Sequence, residues 1–205
     1  MIVCLYLAAG LSSRLQGHKL SLPLGGRPLG SWALEAAMES RIEEVLAVTR
    51  EAGRPEWLPT DVEPEVGTRL SLLHCPVSWR GQSRSIISGV RAAQERGAEG
   101  VLILLADQPL VTSEMINSLI DRFQTTDPPP AFVAASLDGV ARPPVLLSKS
   151  LFPDLLSLQG DQGARNILRG RHADGVLVPF SDTLLFADVD TEEDYQTLLQ
   201  RKKGV

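Results

Sequence analysis

The sequence has few cysteines, few aromatic residues and no long apolar run, and these shortages exclude several classes of protein. Cys4 and Cys75 are the two cysteines, and they form neither a CxxC pair nor a metal-ligand spacing. They predict buried, reduced thiols in a cytoplasmic protein rather than a disulfide framework or a zinc site. The apolar run at 1–6 is short and no basic segment precedes it, so we expect neither a signal peptide nor a membrane span.

An excess of positive charge is also missing. Lys and Arg number 20 against 25 Asp and Glu, which gives a formal net charge of −5. A protein that coats nucleic acid needs a basic face, so we expect no nucleic-acid partner. Because no apolar span is present either, we expect no membrane partner. The 205 residues, 43% of them hydrophobic, are enough to bury a full core.

The sequence does contain short apolar runs that alternate with helix-like segments. The runs typical of buried strands are 1–6, 45–49, 70–74, 101–105 and 131–135. The main segments with helical spacing are 32–41, 83–96, 113–123 and 191–202. Repeated strand–helix units predict an α/β fold with a doubly wound, mainly parallel sheet flanked by helices, and ligands at the carboxyl ends of its strands. No repeat or linker divides the chain, so we expect a single domain over 1–205.

The segment after the first apolar run has the features of a phosphate-binding loop. Residues 7–19 read Leu-Ala-Ala-Gly-Leu-Ser-Ser-Arg-Leu-Gln-Gly-His-Lys. Small and hydroxyl-bearing residues allow a tight turn with exposed N–H groups, and Arg14 and Lys19 add two cations. The segment matches neither GxxxxGK[ST] nor GxGxxG. An ordinary turn between a strand and a helix, with exposed cations, is the alternative.

Acidic residues follow two of the predicted strands. Asp107 comes directly after 101–105, which places it at the same edge of the sheet as 7–19. Asp188 and Asp190 alternate at the end of another strand-like piece, 184–189, and one of them could complete a Mg²⁺ site with Asp107. The alternatives are capping of a turn by Asp107 and capping of the last helix by Asp190 or Thr191.

Two helix starts are flanked by glycine and rich in polar groups. They are Gly-Gln-Ser-Arg-Ser at 81–85 and Gly-Asp-Gln-Gly-Ala-Arg at 160–165. Hydroxyl groups, backbone N–H groups and a cation suit a ligand such as a nucleobase or a ribose. For 81–85, a serine-capped helix with a solvated arginine is the alternative reading.

Taken in order, these segments resemble the MobA-like nucleotidyltransferase family. The likeness is carried by 7–14 with Lys19, by 81–90, by Leu-Ala-Asp-Gln-Pro-Leu at 105–110 and by Asp-Val-Asp-Thr-Glu-Glu-Asp at 188–194. Arg-Pro-Pro-Val-Leu at 142–146, followed by 160–165, is similar to the molybdenum cofactor cytidylyltransferase branch, which includes accessory proteins of xanthine dehydrogenase-type enzymes.

The resemblance implies a Rossmann-like fold of the nucleotide-diphospho-sugar transferase type. It also implies Mg²⁺-dependent transfer of CMP from CTP to the terminal phosphate of molybdopterin, with release of pyrophosphate. Residues 1–110 would mainly bind the nucleotide and 131–190 the acceptor. A molybdenum hydroxylase, or its maturation factor, is the implied protein partner.

The resemblance assigns roles to individual residues as well. Arg14, Lys19 and Asp107 would be catalytic, and Asp107 and Asp190 would bind Mg²⁺. The implied nucleotide-binding residues are Leu7, Ala8, Ala9, Gly10, Arg14, Lys19, Gly81, Ser83 and Asp107. The implied acceptor-binding residues are Arg142, Pro143, Pro144, Gly160, Asp161, Gln162 and Arg165.

Two other functions remain open from the sequence. A related nucleotidyltransferase could use GTP, or a sugar phosphate or alcohol phosphate as acceptor. A non-catalytic carrier of the molybdenum cofactor belongs to a different class, and it is suggested by Arg-Leu-Gln at 14–16, where the family usually has Arg-Met-Gly. Release of pyrophosphate from CTP separates a catalyst from a carrier.

Overall fold

The computed structural model describes residues 1–10, 19–65 and 68–202. Its strands are β1 (Ile2–Leu7), β2 (Pro23–Leu24), β3 (Arg27–Pro28), β4 (Glu44–Thr49), β5 (Leu70–His74), β6 (Gly100–Leu105), β7 (Phe132–Leu137), β8 (Val140–Ser148) and β9 (Gly175–Pro179). Its α-helices are α1 (Leu29–Glu39), α2 (Gln82–Glu95), α3 (Ser113–Thr125), α4 (Phe152–Leu156), α5 (Arg165–Gly170) and α6 (Glu192–Lys202).

Seven of these strands form one sheet in the order β5–β4–β1–β6–β8–β7–β9, while β2 and β3 form a separate hairpin. Strand β8 is antiparallel to both β6 and β7, and the other neighbouring pairs run parallel. The predicted α/β fold with a mainly parallel sheet is therefore confirmed.

The apolar runs of the sequence are explained by burial on both faces of this sheet. All six residues of β1 are buried. Cys4 and Tyr6 pack on one face with residues of α1 and α3, and Val3, Leu5 and Leu7 pack on the other with residues of α2 and α4. A strand covered on both sides needs apolar residues at every position, which is why alternation is absent. Among the described residues, no helix is both long and apolar enough to cross a bilayer.

The structure differs from the sequence-based prediction around two prolines. Pro143 and Pro144 lie inside β8, a strand that is not among the apolar runs predicted from the sequence. Ala134 pairs with Val145 and Ala135 pairs with Arg142, so the register shifts at this point and the two prolines form a bulge. Proline has no N–H group for a ladder hydrogen bond, and a bulge does not require one.

Two smaller predictions of local structure are wrong. Helix α1 begins at Leu29, three residues before the predicted start at 32, and the Ser31 hydroxyl donates a hydrogen bond to the Pro28 carbonyl oxygen within its first turn. The piece at 184–189 is not a strand. Residues 183–186 form a short 3-10 helix, which begins where the Asp182 carboxylate accepts a hydrogen bond from the Leu184 amide.

Candidate active site

The carboxyl ends of β1 and β6 lie side by side and present the first group of predicted site residues. Leu7 pairs with Leu105 in the parallel register, and the Ala106 amide donates a hydrogen bond to the Leu7 carbonyl oxygen. Residues 8–10 and Asp107 therefore leave the sheet next to each other. The Ala8 amide donates to the Val48 carbonyl oxygen at 3.0 Å, which fixes the start of this loop to β4.

Lys19 joins the two predicted metal-binding carboxylates. Its Nζ donates to Asp107 Oδ2 at 2.9 Å and to Asp190 Oδ1 at 3.1 Å. The lysine side chain is 11% exposed, and the carboxylates are 27% and 52% exposed. One ammonium group thus holds together two acids that are far apart in the sequence.

Burial and neighbouring charges shift the pKa of Lys19 and of a nearby acid, Asp188. Burial alone would lower the pKa of Lys19, but the attraction of Asp107 and Asp190 outweighs burial, so the pKa is raised above the usual lysine value. For an acid the effect of burial has the opposite sign. Burial raises the pKa of Asp188, and the neighbouring negative charges of Asp190, Asp107 and Asp194 raise it further. The site therefore contains a charged lysine within an acidic environment.

Asp190 reaches the site because a neighbouring residue caps α6. The Thr191 hydroxyl accepts a hydrogen bond from the Asp194 amide at 3.2 Å. Asp194 Oδ2 accepts from the Thr191 amide, the Thr191 hydroxyl and the Asp190 amide at 2.8, 2.7 and 3.1 Å. This arrangement is a capping box, with aspartate in the place of the usual glutamate. The cap is Thr191, which leaves the Asp190 carboxylate free to bind Lys19.

A backbone hydrogen bond fixes the two acidic segments to each other. The Val189 amide donates to the Asp107 carbonyl oxygen at 3.0 Å, and Val189 is fully buried. Asp190, the next residue, must therefore lie close to Asp107. The Asp107 carboxylate accepts a hydrogen bond from Lys19. The alternative role considered for Asp107, capping of a turn, therefore does not explain this contact.

Asp194→Ala tests whether this cap positions Asp190. The substitution removes the acceptor of three hydrogen bonds, so we expect a loss of about 1 kcal/mol in the free energy of unfolding and about tenfold weaker Mg²⁺ binding. Hydrogen bonds from Thr191, opposed in part by desolvation, lower the pKa of Asp194. The stabilisation is thus present above the ordinary pKa of about 3.9 and is lost as the pH falls through the lowered value.

Chemical denaturation and Mg²⁺ titration measure both effects. Glu193→Ala is the matched control, because Glu193 is an exposed acid in the same helical turn. Equal Mg²⁺ affinity in Asp194→Ala and Glu193→Ala would show that the cap does not position Asp190.

The donor set at this rim fits a magnesium ion. Asp107 and Asp190 offer hard carboxylate oxygens, and both side chains are partly exposed. Mg²⁺ is typically bound through one or two carboxylates, with phosphate oxygens and water in its remaining positions. No cluster of three or more His, Cys, Asp or Glu ligands occurs in the described ranges. Such a pair suits a metal that arrives with a phosphate ligand rather than one held by protein alone.

A cavity of about 370 Å³ opens beside the acidic pair. It is bordered by Leu7, Ala9, Gly10, Ser78, Trp79, Gly81, Gln82, Ser85, Leu105, Asp107 and Asp161. Predicted nucleotide-binding residues thus share one cavity with Asp107. Ser83 is fully buried, and its hydroxyl oxygen has no hydrogen-bond partner in the described structure. Its binding role stays a prediction, while Gln82 and Ser85 border the cavity from the same turn.

Gly81 brings the two predicted binding segments into contact. Its φ is 118°, and a Cβ atom at this position would lie 2.2 Å from the Gly160 carbonyl oxygen. The Ser83 amide donates to that same oxygen at 3.2 Å. Only glycine allows this close approach of the two backbones.

Gly81→Ala should therefore push the two segments apart. We expect a loss of more than about 2 kcal/mol in the free energy of unfolding and a ten- to hundredfold fall in kcat/KM. Gly53→Ala is the control, since Gly53 also has a positive φ but a Cβ there meets no atom within 4 Å. Thermal unfolding and steady-state kinetics measure the difference, and equal behaviour of the two variants would contradict the proposed contact.

A second cavity, of about 510 Å³, collects most of the predicted acceptor-binding residues. Arg142, Pro143, Asp161, Gln162 and Arg165 border it. Part of its apolar lining comes from segments that the sequence had singled out, namely Ile86, Leu105, Val145 and Ala164. The rest comes from Ile103, Ala141 and Leu168, which lie outside those segments. Pro144 is buried in β8, and Gly160 contacts Gly81.

The two cavities adjoin. Gln82, Leu105 and Asp161 border both of them. A ligand in one cavity would therefore lie next to a ligand in the other, which is the arrangement that a transfer between two bound substrates requires.

Some site residues were missed from the sequence, and one predicted residue cannot be placed. Trp79 borders the first cavity and was not predicted, and a lone tryptophan in a polar loop before a helix was the available signal for it. Gln82 and Ser85, which border the same cavity, lie within the segment 81–85 that the sequence had singled out. Arg14 and the departure at Gln16 fall outside the described residues, so their roles stay predictions.

Comparisons with known proteins identify the family of this chain. Residues 4–176 match the family model of the MobA-like NTP transferase domain. Purine catabolism protein PucB of Bacillus subtilis (strain 168) is 38% identical over 197 residues, which cover 95% of this chain and 94% of PucB. A probable molybdenum cofactor guanylyltransferase of Mycobacterium avium (strain 104) is 27% identical over 202 residues, covering 96% and 94% of the two chains.

A solved structure shows the same fold. The homologue of Mycobacterium tuberculosis rv0371c from Mycobacterium sp. strain JC1 superposes with a TM-score of 0.79 at 24% identity, covering 99% of this chain and 97% of that one. Because the family model spans most of the sequence and PucB is 38% identical over nearly its whole length, this chain belongs to the MobA-like NTP transferase family.

Proposed function

We propose that this protein is a molybdenum cofactor cytidylyltransferase, which transfers CMP from CTP to the terminal phosphate of molybdopterin and releases pyrophosphate. The observation that carries the proposal is the convergence of Asp107 and Asp190 on Lys19 at the carboxyl ends of β1 and β6. The acceptor class is supported by the likeness to the probable molybdenum cofactor guanylyltransferase of Mycobacterium avium. The choice of CTP is supported by the resemblance of 142–146 and 160–165 to the cytidylyltransferase branch.

The reaction needs alignment and charge neutralisation more than it needs a base. A terminal phosphate oxygen of the acceptor is already an anionic nucleophile. It would form a bond to the α-phosphorus of CTP as the bond from that phosphorus to the bridging oxygen of the β-phosphate breaks, and pyrophosphate leaves with the electron pair. The protein must bring two anions together and stabilise the charge that develops on them.

Lys19 is the main cation for this task in the described site. Its ammonium forms ion pairs with both Asp107 and Asp190. When Mg²⁺ is bound by these carboxylates, it would neutralise charge on the α-phosphate and on the leaving pyrophosphate. The Lys19 ammonium would then donate to phosphate oxygens. The Ala8 amide is already bonded to the Val48 carbonyl oxygen, so within the described part of this loop, residues 8–10, backbone donation to phosphate would come from Ala9 or Gly10.

The second cavity is suited to a ring system that carries a phosphate. Ile86, Ile103 and Leu105 provide apolar surface, while Arg142 and Arg165 provide positive charge. Apolar walls with a few well-placed polar groups are typical of small-molecule sites. Most residues that border this cavity belong to 131–190, and most that border the first cavity belong to 1–110. This distribution supports nucleotide binding mainly by residues 1–110 and acceptor binding mainly by 131–190 within one domain.

We further propose that the protein acts in the cytoplasm and delivers its product to a molybdenum hydroxylase or its maturation factor. Cys4 and Cys75 are buried and unbridged, and burial raises the pKa of Cys4. Such protected thiols are typical of a reducing compartment.

A nucleotide screen with purified molybdopterin and Mg²⁺ tests the proposed reaction. With CTP we expect one pyrophosphate released for each acceptor consumed, and a product whose mass corresponds to addition of CMP. GTP should give little product. Product from GTP alone would identify a guanylyltransferase, and product only from a sugar phosphate or alcohol phosphate would identify a different acceptor class. Binding of molybdopterin without pyrophosphate release would identify a carrier.

A further inference from the structure

Trp79 is the most exposed of the three tryptophans of the chain. Trp57 is 5% exposed and packs on Tyr6, with ring centroids 5.7 Å apart. Trp32 donates a hydrogen bond from Nε1 to the Leu24 carbonyl oxygen. Trp79 is 57% exposed. An exposed indole at the edge of a cavity is a candidate ligand contact, because aromatic side chains often line small-molecule sites.

The backbone around Trp79 is held in a fixed turn. The Ser78 amide donates to the Cys75 carbonyl oxygen at 3.1 Å, the Arg80 amide to Val77 at 3.0 Å and the Gly81 amide to Ser78 at 3.1 Å. These bonds form the short 3-10 helix at 78–80 that directly precedes α2. The indole is therefore exposed on an ordered support rather than on a loose loop.

The surroundings of the indole fit a flat ring that stacks on it. Trp79 borders the same cavity as Gly10, Gly81 and Asp107. The guanidinium carbon of Arg80 lies 5.0 Å from the centroid of the Trp79 ring. A cation over one face of an indole is a cation–π contact, and it leaves the other face for a ligand. A nucleobase has a flat π-face, and stacking on tryptophan depends little on which base is present.

We propose that Trp79 contacts the substrate by stacking on the nucleobase of the bound nucleoside triphosphate. The Asp107 side of the cavity would receive the phosphates, and the Trp79 side would receive the base. This inference rests on the proposed function, since it requires that a nucleotide occupies the cavity. Stacking on Trp79 would strengthen binding of any base, so the affinities for CTP and for GTP should depend on Trp79 to a similar extent.

Binding measurements with and without a base test the role of Trp79. We would titrate the full chain, in the presence of Mg²⁺, with CTP, with GTP and with inorganic tripolyphosphate as a ligand that has no base. In Trp79→Leu, the Kd for CTP and for GTP should rise about tenfold, while the Kd for tripolyphosphate should stay within twofold. Trp79→Phe keeps an aromatic ring and should lose no more than about threefold.

Val77→Ala is the matched control. Val77 is 41% exposed in the same loop but does not border the cavity, so its replacement should leave all three Kd values unchanged. Tryptophan fluorescence gives an independent measurement. CTP should quench emission of the wild-type protein, and most of that quenching should be absent from Trp79→Phe, which retains Trp32 and Trp57.

The outcomes separate this inference from the proposed function. Unchanged CTP affinity in Trp79→Leu overturns the stacking role, while pyrophosphate release by the wild-type protein would still support the transferase. Equal weakening of CTP and tripolyphosphate also overturns stacking, because it would indicate a distorted site. A defect only in delivery of product to a protein partner overturns it in favour of a docking role for the indole. Failure of the wild-type protein to bind any nucleotide overturns both proposals.

Discussion

Lys19→Met should lower kcat for pyrophosphate release by at least about a hundredfold while the protein remains folded. The substitution removes the one ammonium that bonds both Asp107 and Asp190 but keeps the length of the side chain. Loss of a single group that stabilises developing charge typically costs about 10²–10³ in kcat. Both carboxylates are partly exposed and can bind water instead, so the free energy of unfolding should change by no more than about 2 kcal/mol.

Lys149→Met is the matched control for this variant. Lys149 pairs with Glu99 at 2.6 Å, both side chains are more than half exposed, and Lys149 follows β8 at the end of the sheet remote from Asp107. Its replacement should leave kcat within twofold. Steady-state kinetics with circular dichroism would measure both variants. A kcat of Lys19→Met close to that of Lys149→Met would remove Lys19 from the catalytic site.

Asp107→Asn should lower kcat by about a thousandfold and weaken Mg²⁺ binding. The amide keeps the shape of the carboxylate but loses its charge, and a neutral oxygen is a poor ligand for a hard divalent cation. Asp190→Asn should act in the same direction. Because both residues would hold one ion, the double variant should lose little more than the worse single variant, as is common for groups that act together.

The dependence of pyrophosphate release on Mg²⁺ concentration measures this effect. Asp121→Asn is the control, since Asp121 forms an exposed ion pair with Arg41 away from the cavities. If the losses of Asp107→Asn and Asp190→Asn simply add, or if neither variant shifts the Mg²⁺ requirement, the two carboxylates do not share a metal.

The sequence predicted the sheet well where burial alone decides residue type. A strand such as 101–105, covered on both faces, must be continuously apolar, and it lies where the pattern placed it. Strand β8 was not predicted, because Pro143 and Pro144 normally interrupt a strand. Their tolerance depends on a register shift between β7 and β8, which is a property of two strands and not of one segment.

The candidate site could be predicted from the sequence only in part. Asp107 follows β6, so its place at this edge of the sheet could be expected. Asp190 was placed beside it on the expectation of a strand at 184–189, which does not form, and the hydrogen bond from the Val189 amide to the Asp107 carbonyl oxygen brings it there instead. The sequence left open whether Asp190 or Thr191 caps α6, and whether Asp188 or Asp190 faces Asp107. The structure decides both points through hydrogen bonds of Asp194 and Lys19. Contacts across 88 and 171 sequence positions depend on the assembled fold.

A crystal structure of the protein with CTP and Mn²⁺, read by the anomalous signal of the metal, tests the central claim most directly. We predict one strong peak within about 2.5 Å of a carboxylate oxygen of Asp107 and of Asp190. The triphosphate should bind that metal and lie over residues 8–10, with the Lys19 ammonium on a phosphate oxygen. A metal bound elsewhere, or a triphosphate that leaves the Lys19 bridge between the two carboxylates intact, would contradict the account.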